Sequence, residues 1–254
     1  MKNKPYIGVS GISTIEEATK VIEIFNQNKF NLESNHLPFL GYLVSDKTLK
    51  NENLNKKYPD LRNLRHLFNE SKNKAINVIH YHTNETESLH DQIEELFYNL
   101  YKDEACNTLQ LNIVWPESKV IRKIKERFEN LNIIFQASPK VLQMNHNEIV
   151  SRFKEYEENI EYLLIDPSMG RGIDILIEDY LQLYKKLKSN FKYLTIGFAG
   201  GFNGDNLVDK LKILVDENLL SQVSIDAEDS LRENNKLDLE KVENYIKKAS
   251  LVLN

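Results

Sequence analysis

Eight short apolar runs punctuate this chain at nearly even spacing, with amphipathic patterns of helical period between them. The runs cover residues 6–9, 39–44, 76–81, 109–114, 133–136, 162–166, 194–198 and 223–226. Ile15, Ala18, Val21, Ile22 and Phe25 form the first helical stripe, with Ser13 or Thr14 as N-cap. Later stripes run through Leu89 to Leu100, Val120 to Phe128, Ile177 to Leu187, Leu207 to Val215 and Leu239 to Ala249. The fifth unit is the weakest, because 144–156 is a poorly periodic stretch. Near-continuous hydrophobic strands alternating with helices imply a parallel sheet covered on its faces. A repeat of about 30 residues, filling all 254, predicts an α/β fold with one closed (β/α)8 TIM barrel. An open dinucleotide-binding sheet would place a G-x-G-x-x-G fingerprint after its first strand, and Gly8-Val9-Ser10-Gly11 does not supply it. We therefore expect a single domain over 1–254, with the long polar connection at 45–73 as a lid or an insertion.

Bulk properties narrow the partners. Acidic and basic residues interleave, and the formal net charge is −5, which argues against a nucleic-acid surface. No window approaches 18 apolar residues, so no membrane span is expected. A lone cysteine, Cys106, rules out an internal disulfide framework and fits a reducing, cytoplasmic setting. The expected partner is a small phosphorylated or anionic metabolite, bound by a monomer or homodimer.

In a barrel the carboxyl ends of the strands share one mouth, so polar residues that end apolar runs are the first site candidates. Those residues are Ser10, His80, His82, Asn112, Gln136, Asp166, Gly200, Gly201, Asp226 and Glu228. The Gly200-Gly201 pair precedes Asn203 and a helix, which suits an anion cradle made of backbone N–H groups. Gly170, Arg171 and Gly172 form a loop after the sixth run whose guanidinium suits a phosphate or carboxylate. Asp166 follows Leu163-Leu164-Ile165, so apolar walls are expected to hold it protonated as a general acid. Arg232 is the cation expected to offset Asp226, Glu228 and Asp229 in the pocket. His80-Tyr81-His82 places two imidazoles on one strand face, so a metal site completed by Asp166 or Asp226 is an alternative.

Several of these segments resemble phosphoribosylanthranilate isomerase of tryptophan biosynthesis. Val9-Ser10-Gly11-Ile12 is similar to its first-strand Ile-Cys-Gly-Ile, and Leu109-Gln110-Leu111-Asn112 to its fourth-strand Gln-Leu-His-Gly. Leu164-Ile165-Asp166 with the loop to Gly172 resembles its sixth strand, Ala199-Gly200-Gly201 its phosphate turn, and Val223-Ser224-Ile225-Asp226 its eighth strand. The resemblance implies a ribulose-phosphate-binding barrel without metal or cofactor. It also implies an Amadori rearrangement, with Asp166 as the acid and Ser10 at the position of the catalytic cysteine. Serine in place of cysteine, and Gly8 in place of the neighbouring lysine, make altered chemistry or a non-catalytic binding barrel the further alternatives.

Overall fold

A computed structural model describes residues 3–50, 52, 57–100, 105–168 and 174–253. Eight parallel strands close into a barrel: β1 (Tyr6–Ser10), β2 (Leu37–Ser45), β3 (Ile76–His82), β4 (Thr108–Leu111), β5 (Asn132–Ala137), β6 (Tyr162–Ile165), β7 (Thr195–Ala199) and β8 (Val223–Ala227). Each pairs with its sequence neighbour, and β8 returns to β1 in the register Gly8↔Asp226. The α/β barrel expected from the eight runs is thus the observed fold.

Period two sorts every strand. Outward residues such as Ile79, Tyr81, Leu109, Leu111 and Phe135 pack under the helices in one large apolar layer. Inward residues at the amino ends, among them Tyr6, Phe39, Val78, Ile134 and Tyr162, form a separate apolar plug. Tyr6 stacks on Phe39 with ring centroids 4.1 Å apart. Toward the carboxyl ends the inward series turns polar: Ser10 after Gly8, His80 and His82 after Val78, Gln110 after Thr108, Asp166 after Leu164. The plug closes the bottom, and the polar upper layers face the mouth.

The helices follow their stripes. In α1 (Ile15–Gln27), Thr14 is the N-cap and forms a reciprocal capping box with Glu17. The weak fifth unit proves to be two helices, α6 (Pro139–Leu142) and α7 (His146–Lys154), which explains its broken periodicity. β4 is shorter than the apolar run suggests. Beyond it the chain turns so that the Trp115 indole N–H donates to the Gln136 carbonyl at 2.9 Å, leaving Val114 exposed. The connection at 45–73 carries α2 (Asp46–Leu49) and α3 (Leu64–Ser71), whose buried Leu64, Leu67 and Phe68 dock on the barrel. No helix among the described residues is long and apolar enough to cross a membrane.

Candidate active site at the barrel mouth

A cavity of about 210 Å³ opens at the carboxyl ends of the strands. Of the residues predicted for the site, His80, His82, Asn112, Gln136, Asp166, Gly200, Gly201, Asp226 and Glu228 line it together. Gly170, Arg171 and Gly172 lie outside the described residues.

Asp166 stands where β6 ends, buried among donors. Gln136 Nε2 donates to its Oδ2, while the Ser168 N–H and hydroxyl donate to Oδ1 at 2.8 and 2.7 Å. Polar donors thus meet both oxygens of this carboxyl, which the apolar run before it does not foretell.

The carboxyl whose charged form is disfavoured is Asp226, on β8 two strands along the ring. Burial pushes it up to about 7, helped by the negative charges of Glu228 and Asp166 and opposed by the Ser10 hydrogen bond. Ser10 Oγ donates to Asp226 Oδ1 at 2.7 Å. Ser10 is buried and is not among the residues that line the cavity, so the hydroxyl at the cysteine position lies behind Asp226. Gly8 makes this possible, because a Cβ there would land on Asp226 Oδ1. The bare backbone of Gly8 is what admits the β8 carboxylate against β1.

His80 is buried, and burial alone drives its ring down to about 3, so it is neutral. Its Nε2 lies 3.4 Å from Ser10 Oγ, and its Nδ1 lies 3.3 Å from Gln110 Nε2. His82 Nδ1 meets the Asn112 carbonyl at 2.8 Å. With these nitrogens directed at protein partners, the two imidazoles do not join Asp166 or Asp226 in a ligand set. Among the described residues no group of three or more His, Cys, Asp or Glu could hold a metal ion.

Two expected pocket residues sit elsewhere. Arg232 lies in the small hairpin of β9 (Arg232–Glu233) and β10 (Lys236–Leu237), and its guanidinium donates to the carbonyls of Gly11 and Asn235. It ties that hairpin to the β1 loop instead of entering the cavity. Asn203 Oδ1 accepts the N–H groups of Asp205 and Asn206, so its side chain shapes the turn before α9 (Leu207–Asp216).

Sequence reasoning missed Gln110, Lys57, Tyr58, Ser168 and Ser230, all of which line the cavity. Gln110 was accessible to it: period two places Gln110 on the same face as Asn112, just as His80 accompanies His82. Lys57 had no such signal, since it lies in an aperiodic polar connection. It bridges Glu228 and Asp229 at 3.4 and 3.2 Å and is a second cation beside these carboxylates; Arg232 also offsets Glu228 by its charge, from outside the cavity. Burial opposes the Lys57 charge, but those two carboxylates more than offset it and raise its pKa. Glu228 is raised too, chiefly by burial, with Lys57 working the other way.

Gly200 and Gly201 have φ of 130° and 66°, a left-handed backbone that glycine adopts without strain, and they bring main chain to the cavity wall beside Ser230.

No family model matches the chain, and no curated protein matches it either. Solved structures do. Phosphoribosyl anthranilate isomerase from Thermotoga maritima superposes with a TM-score of 0.64 at 17% identity, covering 96% of this chain and 98% of that one. The enzyme from Thermus thermophilus gives a TM-score of 0.63 at 15% identity, covering 97% and 99%. N-(5'-phosphoribosyl)anthranilate isomerase from Pyrococcus furiosus gives 0.61 at 15%, covering 98% and 100%. Likeness at such identities is likeness of fold: this chain has the closed (β/α)8 barrel that these structures share.

Proposed function

We propose that this protein is an acid–base isomerase that moves a proton within a small phosphorylated, sugar-derived substrate. The observation that carries the reading is the pair of buried carboxyls, Asp166 and Asp226, which come from non-adjacent strands and line one cavity in opposite surroundings. An Amadori-type rearrangement needs a proton delivered to a ring oxygen and another removed from carbon. Two carboxyls in different hydrogen-bonding surroundings, one of them with its charged form disfavoured by burial, suit that division of labour. Asp226, with its pKa near neutrality, is the proton donor in this reading, and Asp166, held by donors, is the acceptor. This exchanges the acid assigned to Asp166 by resemblance, and it relieves Ser10 of a base role for which a hydroxyl is ill suited. The phosphate end is assigned to Gly200, Gly201 and Ser230, with Lys57 as the nearby cation.

The test is hydrogen exchange from solvent into a phosphorylated ribose-amine or ribulose substrate, followed by NMR in deuterated buffer. Exchange by the parent, abolished in both Asp166→Asn and Asp226→Asn, supports the reading; a parent that binds without exchange contradicts it. One observation favours a second reading, a binding barrel for an amine-bearing ligand: Glu228 and Asp229 line the rim where phosphate would rest. Saturable binding of a sugar amine that inorganic phosphate does not displace, without exchange, would select it.

A further inference from the structure

A chain of buried polar side chains runs across the strands at the cavity, three of its four members lining it. It runs from Gln110 on β4 through His80 on β3 and Ser10 on β1 to Asp226 on β8. We propose that Gln110, His80 and Ser10 form a one-way hydrogen-bond relay that ends on Asp226 Oδ1 and confines that carboxyl's exchangeable proton to Oδ2. Ser10 and His80 are then positioning residues for the acid, not proton acceptors.

The direction follows from the donor inventory. Gln110 Nε2 has only hydrogens to offer, and it faces both His80 Nδ1 at 3.3 Å and Asn112 Oδ1 at 2.9 Å. His80 Nδ1 is therefore the bare nitrogen, and the neutral ring carries its hydrogen on Nε2. That hydrogen points at Ser10 Oγ, 3.4 Å away. Ser10 has one hydrogen of its own, and with Nε2 donating to it, that hydrogen goes to Asp226 Oδ1 at 2.7 Å. The opposite polarity would need the Gln110 and Asn112 carboxamides turned over together, so that Asn112 and His80 Nδ1 both donate to Gln110 Oε1. In the polarity proposed here Oδ1 is an acceptor, and a proton on Asp226 resides on its other oxygen.

The backbone is cut to fit the relay. A Cβ on Gly41 would fall on Ser10 Oγ and come within 2.7 Å of His80 Nε2, and one on Gly8 would strike Asp226 Oδ1. At both glycines the nearest atoms a Cβ would meet belong to this chain of side chains. Besides Ser10, the titratable groups acting on Asp226 are Asp166 from β6, Glu228 beyond β8, Tyr6 from β1 and Tyr245 from α10 (Leu239–Leu253). None of them is a cation, and the hydrogen bonds from Ser10 and from the Ala227 backbone are what oppose burial and hold this carboxyl's ionisation within reach of neutral pH.

Only the catalytic meaning of the relay rests on the function proposed above; its polarity does not. The experiment is ¹⁵N NMR of the histidine rings and ¹³C NMR of the Asp226 carboxyl in the intact protein, titrated from about pH 5 to about pH 9 across its ionisation. The relay predicts that His80 stays neutral with hydrogen on Nε2 throughout. It also predicts that Ser10→Ala raises the Asp226 midpoint by about 1–2 pH units, the worth of one hydrogen bond to a charged acceptor. An Nδ1–H tautomer or a cationic ring in the parent overturns the relay, as does an unmoved midpoint in the variant. A correct tautomer and a raised midpoint in a protein that exchanges no substrate hydrogen would keep the relay and discard the isomerase.

Discussion

Asp226 makes the stability of this barrel depend on pH in a direction opposite to most aspartates. Its folded value of about 7 lies above the ordinary 3.8, so between those limits the folded chain holds a proton that the unfolded chain has released. Unfolding stability contributed by this group is therefore full at acid pH, falls as pH rises toward 7, and is absent above it. The whole span corresponds to about 4 kcal/mol, of which about 3 kcal/mol falls between about pH 4.5 and about pH 8.5. Asp226→Asn keeps the shape and an oxygen for the Ser10 hydrogen bond but carries no charge. It should match the parent near pH 4.5 and exceed it by about 3 kcal/mol near pH 8.5. Urea unfolding at several pH values, with parent and variant side by side, reads that difference as a midpoint gap that opens with pH. A gap that stays constant within about 0.5 kcal/mol would refute the claim that a buried, neutral Asp226 is part of the folded state.

Three further outcomes are expected. Gly8→Ala should cost about 1–3 kcal/mol in urea unfolding, because the new methyl group lands on Asp226; an unchanged midpoint would mean that the carboxyl is not seated against β1. Arg232→Ala should destabilise by about 2 kcal/mol through loss of its bonds to the Gly11 and Asn235 carbonyls, yet leave ligand affinity unchanged; a binding defect without a stability defect would return Arg232 to the pocket. The Cys106 thiol is buried and pushed up to about 12, so a thiol reagent near pH 8 should leave the native protein unmodified and react once the chain unfolds in denaturant.

The barrel was legible because its eight runs and intervening stripes carry the two periods that a (β/α)8 fold requires. The element boundaries that moved did so for local reasons: the Trp115 indole anchors to Gln136 and ends β4 early, and the fifth unit divides at the turn between α6 and α7. The site was legible in part. His80, Gln136, Asp166, Gly201 and Asp226 announced themselves as polar or glycine residues at strand ends, and all of them line the cavity. The environment of each was not readable. Leu163-Leu164-Ile165 precedes Asp166 in sequence, but the groups that touch its carboxyl are Gln136 from β5 and Ser168 from the following loop. Local apolarity said little about solvation because alternate residues of a strand face opposite sides of the sheet. Asp226 finds its partner Ser10 through a contact spanning 216 positions. Arg232 and Asn203 looked like ligand groups by type, whereas their hydrogen bonds are spent on a hairpin brace and a turn.

The central claim is that Asp166 and Asp226 work on one bound molecule at the mouth of the barrel. A crystal of the protein soaked with a phosphorylated sugar analogue measures this most directly. The account predicts a ligand lying between the two carboxyls, with its phosphate against Gly200 and Gly201. A ligand seated away from either carboxyl, or a mouth left empty at saturating analogue, would contradict it.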